Sequence, residues 1–186
     1  MELFPELSLG WLNGWIAPAL LVLVDGILFL TYPKPVLVWV WNRSGWSRKQ
    51  AALTVIGKIF ALFFLVLIAL SPLKIGQPVF FIGLALSAAG LAGLAKALID
   101  FRGTPLGEPV DRGIYRISRH PQIVMSSLVL LGAGIAAGSW AALMLFAVAR
   151  FFSHWGLVAE EEICLKKYGE SYRQYLRRVP RYFLVF

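Results

Sequence analysis

The fold is decided by residues 121–158, PQIVMSSLVLLGAGIAAGSWAALMLFAVARFFSHWGLV, in which Arg150 is the only acidic or basic side chain apart from a histidine. This stretch is close to twice the length of about 20 apolar residues that a helix needs to cross a bilayer core of roughly 30 Å. Near its middle stand Gly138 and Ser139. Glycine is suited to ending one helix and serine to capping the next. The stretch therefore predicts a tight hairpin of two apolar helices.

The rest of the chain has the same character. Of its 186 residues, 59% are hydrophobic and 15% are charged, with a mean hydropathy of +0.71, which exceeds the apolar share of an ordinary soluble domain. We therefore expect an all-α membrane protein with about five transmembrane helices, the last two forming the hairpin. The predicted spans are approximately residues 12–32, 51–72, 78–99, 121–138 and 139–158.

The chain is expected to form a single integral membrane domain, residues 1–186. No linker rich in Ser, Gly or Pro, no block of like charges and no internal repeat divides it. Gly83 with Ser87, and Gly134 with Gly138, are each spaced four apart and predict faces where helices approach closely. Cys164 is the only cysteine, so no intramolecular disulfide or cysteine-based metal site can form, and no metal site is predicted.

Basic residues follow alternate spans, which places them on one side of a serpentine chain. Because Lys and Arg near the spans are retained in the cytoplasm, we expect an external amino terminus and a cytoplasmic carboxyl terminus. The net charge of +8 favours contact with anionic lipid headgroups over nucleic acid. These basic residues are Lys34, Arg43, Arg48, Lys49, Arg102, Arg112, Arg116, Arg119, Lys166, Lys167, Arg173, Arg177, Arg178 and Arg181.

Ionisable side chains inside a span are costly and therefore indicate function. Lys58 and Lys96 lie near enough to the cytoplasmic ends of their spans to extend towards water. Arg150 lies deeper, and it shares one helical face with His154 and Glu161. This polar stripe makes the three residues candidates for a catalytic or substrate site. The structural alternative is that Arg150 forms an ion pair that holds helices in register.

Several short motifs follow one another after the third span. They are Gly113-Ile114-Tyr115-Arg116-Ile117-Ser118-Arg119-His120-Pro121, then Glu160-Glu161-Glu162, Tyr168-Gly169-Glu170-Ser171-Tyr172 and Val179-Pro180-Arg181. In this order, with an apolar hairpin between the first and second, they resemble the isoprenylcysteine carboxyl methyltransferase and phospholipid methyltransferase superfamily of membrane enzymes. The resemblance covers roughly the carboxyl-terminal half of the chain.

The resemblance implies an S-adenosylmethionine-dependent methyltransferase acting on a lipidic or amphiphilic substrate. The cofactor would lie at the cytoplasmic helix ends, closed by the carboxyl-terminal segment 159–186, and the substrate would be a lipid or a prenylated small molecule or protein carboxyl terminus. No obligate protein partner is inferred. Transfer to oxygen is favoured, with amine and thiol acceptors open. The implied cofactor-binding residues are Gly107, Glu108, Pro109, Val110, Tyr115, Arg119, His120, Pro121, Gln122, Ile123 and Glu160.

The residue types suit this cofactor on independent grounds. Arg119 and His120 are able to bind a carboxylate, the Tyr115 ring can lie against a sulfonium cation, and a glutamate accepts hydrogen bonds from a ribose or an ammonium group. Two positions depart from the family pattern. Ile123 stands where members usually have Tyr, and Gly156 stands where the isoprenylcysteine enzymes have the Arg that binds the substrate carboxylate.

Two other functions are compatible with parts of the sequence. An NADPH-dependent sterol reductase resembles this chain around the Arg-His-Pro motif, although such proteins are typically longer and no Gly-x-Gly-x-x-Gly occurs here. A non-enzymatic membrane scaffold or small permease would use the buried charges only as structural pairs. The aromatic and basic tail from Tyr168 to Phe186 is typical of either a membrane anchor or a lid.

Overall fold

The structure, a computed structural model, describes residues 1–32, 34, 45–104 and 108–183. The described chain is helical, with isolated bridges in place of β-strands. A short 3-10 helix, Gly113–Arg116, precedes the hairpin. The α-helices are α1 (Ile16–Phe29), α2 (Arg48–Ala69), α3 (Pro78–Arg102), α4 (Pro121–Ala136), α5 (Trp140–Tyr168) and α6 (Glu170–Arg178).

Local sequence signals explain most of the helix ends. Ser47 begins α2 with a capping box, since its side chain accepts from the Gln50 N–H while the Gln50 side chain accepts from the Ser47 N–H. The predicted hairpin turn is confirmed. Gly138 adopts a φ of 68°, which favours glycine, and the Ser139 hydroxyl accepts from the Ala142 N–H.

The helices pack in two close pairs, α3 with α4 and α2 with α5. Small residues make the first pair possible: a Cβ added to Gly83 would lie 2.4 Å from the Gly132 carbonyl oxygen, and the Ser87 hydroxyl donates to the Val129 carbonyl at 3.1 Å. The close-packing role predicted for Gly83 and Ser87 is thus confirmed. On α4, however, Gly132 faces them rather than Gly134, while Gly138 belongs to the turn.

The chain is a membrane protein, and three described helices are long and apolar enough to cross a bilayer: α2, α3 and α5. The other two predicted spans correspond to shorter apolar helices, α1 with 14 residues and α4 with 16. At 1.5 Å per residue these measure about 21 and 24 Å, below the roughly 30 Å of a bilayer core. The number of five crossings stays a prediction.

The largest difference from the predicted spans lies in α5. It continues ten residues past the expected end at residue 158 and stops at Tyr168, before Gly169 with a φ of 57°. Glu161 therefore lies on the same continuous helix as Arg150. Because of this extension, the polar stripe of α5 continues past the apolar residues, from Arg150 to Glu161.

Candidate functional site

The carboxyl-terminal segment folds back over the residues that follow α3. The Tyr175 hydroxyl donates to the Tyr115 carbonyl at 2.7 Å, and the Ser118 hydroxyl donates to the Arg181 carbonyl at 2.8 Å. The Arg119 N–H donates to the Pro180 carbonyl at 2.9 Å. Since Tyr175 is 2% exposed, its hydroxyl anchors α6 rather than lying at a water surface. These contacts bring two parts of the chain that are distant in sequence into one site.

At the centre of this site lies the Glu161 carboxylate, which is 6% exposed. Arg181 binds it through two hydrogen bonds, Nε to Oε1 at 3.0 Å and Nη2 to Oε2 at 2.7 Å. His120 Nε2 lies 3.1 Å from Oε1, and Arg119 Nε lies 3.0 Å from the same oxygen as an ion pair without hydrogen-bond alignment. Burial opposes ionisation, but these hydrogen bonds and charges lower the pKa of Glu161 to about 2.

This cluster, Glu161 with Arg119, His120 and Arg181, keeps an excess of positive charge. Two guanidinium groups face one carboxylate, so one positive charge is left over before any protonation of His120. Such a group is suited to receiving a further anion, because a carboxylate placed beside it forms charge-assisted hydrogen bonds. The donor set therefore fits the carboxylate of an amino-acid-like ligand.

Tyr115, whose carbonyl accepts from the Tyr175 hydroxyl, is also buried, at 6% exposure. The Gln122 amide donates to its hydroxyl at 2.8 Å, and its ring lies 6.1 Å from the Phe101 ring. Burial raises the pKa of Tyr115 well above its usual value, so the side chain stays neutral. Gln122 is thus a direct contact of Tyr115, which ties the start of α4 to the 3-10 helix.

A cavity of about 510 Å³ lies between α4 and α5, and His154 in its lining contacts Arg181 of the cluster. The two helices meet at the hairpin turn, but each packs mainly against another helix, which leaves room for a cavity between them. Most of the lining is apolar, and Phe151, one of the lining residues, is 67% exposed. Its lining includes Ile123, Ser127, Arg150, Phe151, His154 and Tyr182.

Within this cavity, Arg150 is half-buried, and no hydrogen bond or ion pair from its guanidinium reaches any residue that the structure describes. A structural pair that would hold helices in register is therefore not seen for Arg150 in that part of the chain. An unpaired guanidinium in an apolar groove is costly unless a ligand or water satisfies it. The cavity is accordingly suited to a molecule with an apolar body and an anionic or polar head.

The predicted site residues thus fall into two adjoining groups. Arg119, His120 and Glu161 meet in the cluster, whereas Arg150, His154 and Ile123 line the cavity. Pro121 begins α4, Glu160 is exposed on α5, and residues 108–110 lie in the loop before the 3-10 helix. Gly107, Arg43 and residues 184–186 lie outside the described residues.

Two residues of the site were missed by the sequence reasoning. Arg181 was counted among the anchoring charges, but it holds Glu161 through two hydrogen bonds. Tyr182 contacts His154, with its hydroxyl 2.8 Å from Nδ1. The Val-Pro-Arg motif was a signal for the first, since it ends on Arg181. No local pattern distinguishes Tyr182 from the other tyrosines of the tail.

Fold and site together define a helical membrane protein with a buried charge cluster beside a mostly apolar cavity. Comparison with known proteins assigns such a molecule to a family of methyltransferases. The phospholipid methyltransferase family matches residues 75–171, more than half of the chain, and the protein belongs to this family.

Among curated proteins, the chain is similar to protein-S-isoprenylcysteine O-methyltransferase of Schizosaccharomyces pombe. The two are 34% identical over 73 residues, which is 38% of this chain and 30% of that protein. The alignment therefore spans less than a third of the relative's length. No solved structure matches the chain at a significant level.

Proposed function

We propose that the protein is an S-adenosylmethionine-dependent methyltransferase whose acceptor is a lipidic or amphiphilic molecule at the cytoplasmic face of its membrane. Family membership supports a methyltransferase. The observation that carries the rest is the meeting of Arg119, His120 and Glu161 in one cluster, because Glu161 lies on α5 and α5 also lines the mostly apolar cavity. One helix thus connects a site suited to a polar cofactor with a site suited to an amphiphile.

The excess positive charge of Arg119 and Arg181, with the His120 ring beside them, is suited to holding the cofactor's carboxylate. Glu160, which is exposed on α5, is proposed to accept hydrogen bonds from an ammonium or ribose group, and residues 107–110 and 121–123 are proposed to contact the cofactor as well. When bound, S-adenosylmethionine supplies a methyl group attached to a positively charged sulfur. The neutral, buried Tyr115 offers an aromatic face to such a cation.

The residues of the chain act mainly by binding, orienting and excluding water. Methyl transfer is an in-line displacement. Alignment of the acceptor with the methyl group and exclusion of water therefore contribute most of the rate. The apolar lining of the cavity keeps water away, while Arg150 holds the polar head of the acceptor. Glu161 remains ionised at neutral pH and keeps both guanidinium groups in place.

The acceptor is proposed to enter sideways from the bilayer through the open side of the cavity near Phe151. The similarity to an isoprenylcysteine methyltransferase favours a prenylcysteine-like acceptor, and family membership favours a phospholipid. Gly156 occupies the position where the isoprenylcysteine enzymes carry an Arg. Because Arg150 supplies a guanidinium deeper on the same helix, the polar head of the acceptor is proposed to lie closer to the membrane core than Gly156 does.

Label transfer tests this function. The purified protein in lipid nanodiscs is incubated with methyl-labelled S-adenosylmethionine and, in separate arms, a total lipid extract or a prenylcysteine analogue. We expect label in one of the two acceptors, at least ten-fold above protein-free discs. Label in neither, together with no binding of S-adenosylmethionine, would contradict the proposal.

Matched variants locate the acceptor site within that assay. Arg150→Met is expected to raise the KM for the labelled acceptor, whereas Lys58→Met, which changes an exposed lysine on α2, should leave it unchanged. An Arg150→Met protein with unchanged KM and kcat would show that Arg150 does not bind the acceptor.

The pH profile distinguishes the classes of acceptor. The rate should be nearly flat from about pH 6.5 to 8 for a carboxylate acceptor and should rise with pH for an amine or thiol.

A further inference from the structure

His154 lies between the cavity and the charged cluster, and both of its ring nitrogens have partners. Its Nε2 lies 3.4 Å from Nη1 of Arg181, and its Nδ1 lies 2.8 Å from the Tyr182 hydroxyl. Arg181 is in turn held by two hydrogen bonds to the buried Glu161. A continuous chain of contacts therefore runs from the Glu161 carboxylate through Arg181 and His154 to Tyr182.

The chemistry of arginine determines the direction of each hydrogen bond in this series of contacts from Glu161 to Tyr182. A guanidinium group has only N–H donors and no acceptor, so Nε2 of His154 must offer its lone pair to Arg181. The ring is then neutral, with its hydrogen on Nδ1. That Nδ1–H donates to the Tyr182 oxygen, which leaves the Tyr182 hydroxyl hydrogen directed away from His154.

Tyr182 and Arg150 line the same cavity. Across the described residues, His154 is the only hydrogen-bond partner of the Tyr182 hydroxyl, and the Arg150 guanidinium has none. The donors of this mostly apolar wall thus include a hydroxyl and a guanidinium that have no acceptor among the described residues. Two such donors complement an anionic oxygen, because each forms a charge-assisted hydrogen bond with it.

We propose that Tyr182 is a substrate-binding residue, which donates its hydroxyl hydrogen to an anionic oxygen on the head of an amphiphile that Arg150 also binds. In this arrangement His154 is a positioning residue. It orients Tyr182 through its Nδ1–H, and its occupied Nε2 is not available as a general base. The inference rests on the proposed function for the identity of the bound amphiphile as substrate, but its geometry is tested without turnover.

The tautomer of His154 is open to direct measurement, because the chain has two histidines. Nitrogen-15 NMR of protein labelled at histidine resolves the two rings, and His154→Asn assigns them. We expect a neutral His154 with its hydrogen on Nδ1 at pH 7.5. An Nε2–H form or an imidazolium would overturn the proposed hydrogen-bond direction, whatever the result of the methyl-transfer assay.

Binding of simple anionic amphiphiles tests Tyr182 itself. Dodecyl phosphate and dodecanoate, titrated into the full-length protein in a neutral detergent, distinguish a phosphate head from a carboxylate head, with 1-dodecanol as the uncharged control. Tyr182→Phe should weaken binding of the preferred anion about five- to ten-fold, as expected for a lost hydrogen bond to a charged group. Tyr168→Phe, which removes a hydroxyl elsewhere in the tail, should not.

His154 variants separate positioning from general structural damage. His154→Leu should weaken binding as much as Tyr182→Phe, whereas His154→Asn, whose amide N–H can replace Nδ1–H, should retain most of it. Equal binding of the anions by wild type and Tyr182→Phe would overturn the proposal, and so would equal weakening by the Leu and Asn variants. Failure of methyl transfer alone would count against the proposed function and not against this donor pair.

Discussion

The two ends of the helical bundle are held together by different kinds of contact. At the turn end, made of residues 1–15, 70–77 and 136–140, main-chain hydrogen bonds dominate: the Glu2 N–H donates to the Gly138 carbonyl at 2.8 Å and the Lys74 N–H to the Ala136 carbonyl at 2.9 Å. At the basic end, made of residues 45–49, 100–104, 108–120 and 159–183, charged side chains converge on Glu161. One end depends on backbone shape, and the other depends on side-chain identity.

The difference shows where function can be located in such a small membrane protein. Main-chain contacts tolerate many side chains, so most positions of the turn end should accept substitution; Asn13 and Ser139, whose side chains hydrogen-bond the backbone, are exceptions. A buried carboxylate with two guanidinium groups tolerates few replacements, because removal of one partner leaves a charge unpaired. Substitutions at the basic end should therefore affect ligand binding and turnover, and those at the turn end should affect stability alone.

The largest effect is expected for Glu161→Gln at the basic end. The amide cannot balance the buried guanidinium groups of Arg119 and Arg181, so the free energy of unfolding should fall by about 3 to 5 kcal/mol. Methyl transfer should drop at least 100-fold even in the folded fraction. Thermal unfolding and label transfer measure the two effects. Glu162→Gln, at an exposed neighbour bonded to Gln50, should change neither appreciably.

Acid should act through the same carboxylate. Because the pKa of Glu161 is about 2 in the folded protein, its ionised form contributes stability above its unfolded pKa, and that contribution is lost as pH falls from about 4.5 towards 2. The wild type should therefore lose its stability advantage over Glu161→Gln in this range. A difference between the two proteins that stays constant from pH 6 to pH 3 would contradict the ion-pair account.

The next largest effect is expected where α3 meets α4. In Gly83→Ala the added methyl group would lie 2.4 Å from the Gly132 carbonyl oxygen, so the helices must move apart, at a cost of about 1 to 3 kcal/mol. The melting temperature should fall while the KM for both substrates stays unchanged. Gly26→Ala, which meets no atom within 4 Å, is the matched control. A changed KM in Gly83→Ala would show that helix packing outside the basic end also affects ligand binding.

Tyr175→Phe tests the docking of the carboxyl-terminal segment. It removes the 2.7 Å hydrogen bond to the Tyr115 carbonyl and leaves that buried acceptor unsatisfied, which costs about 1 to 3 kcal/mol. We expect faster proteolysis of the tail and weaker binding of S-adenosylmethionine. Limited proteolysis with mass spectrometry detects the first. A tail as protected as in the wild type would show that other contacts suffice to hold it.

The smallest effect is expected at the exposed ion pair of the turn end. Lys74 Nζ lies 3.1 Å from the Glu2 carboxylate, and such surface pairs contribute less than about 1 kcal/mol. Lys74→Gln should leave the melting temperature within a degree or two of the wild type in physiological salt. A larger fall would mean that the side chains of the turn end contribute more than its backbone contacts indicate.

The fold was predictable from sequence wherever a local signal marks a helix end. Pro78 and Pro121 begin helices, and Gly138 with Ser139 forms the hairpin turn, as expected. The end of α5 was not predicted, because the apolar run stops near residue 158 while the helix is continued by charged residues that bond across the bundle. Hydropathy reports burial in lipid and does not report helix length.

The candidate site was predictable only in its motif residues. Arg119, His120 and Glu161 belong to recognisable motifs. In the structure the Arg119 and His120 side-chain nitrogens lie within 3.1 Å of the Glu161 carboxylate. The role of Tyr182 depends on the tail folding back through contacts such as Ser118 to Arg181, which join residues 63 positions apart. Such long-range pairing leaves no periodicity in the sequence, so the tail looked equally suited to a lid and to an anchor.

The basic end is proposed to bind S-adenosylmethionine. Isothermal titration of the cofactor into the wild-type protein in nanodiscs tests it most directly, with Arg119→Met representing the basic end and Lys74→Gln the turn end. The account predicts one molecule bound per chain in the wild type and in Lys74→Gln, and binding at least ten-fold weaker in Arg119→Met. No binding by the wild type, or equal binding by all three proteins, would contradict it.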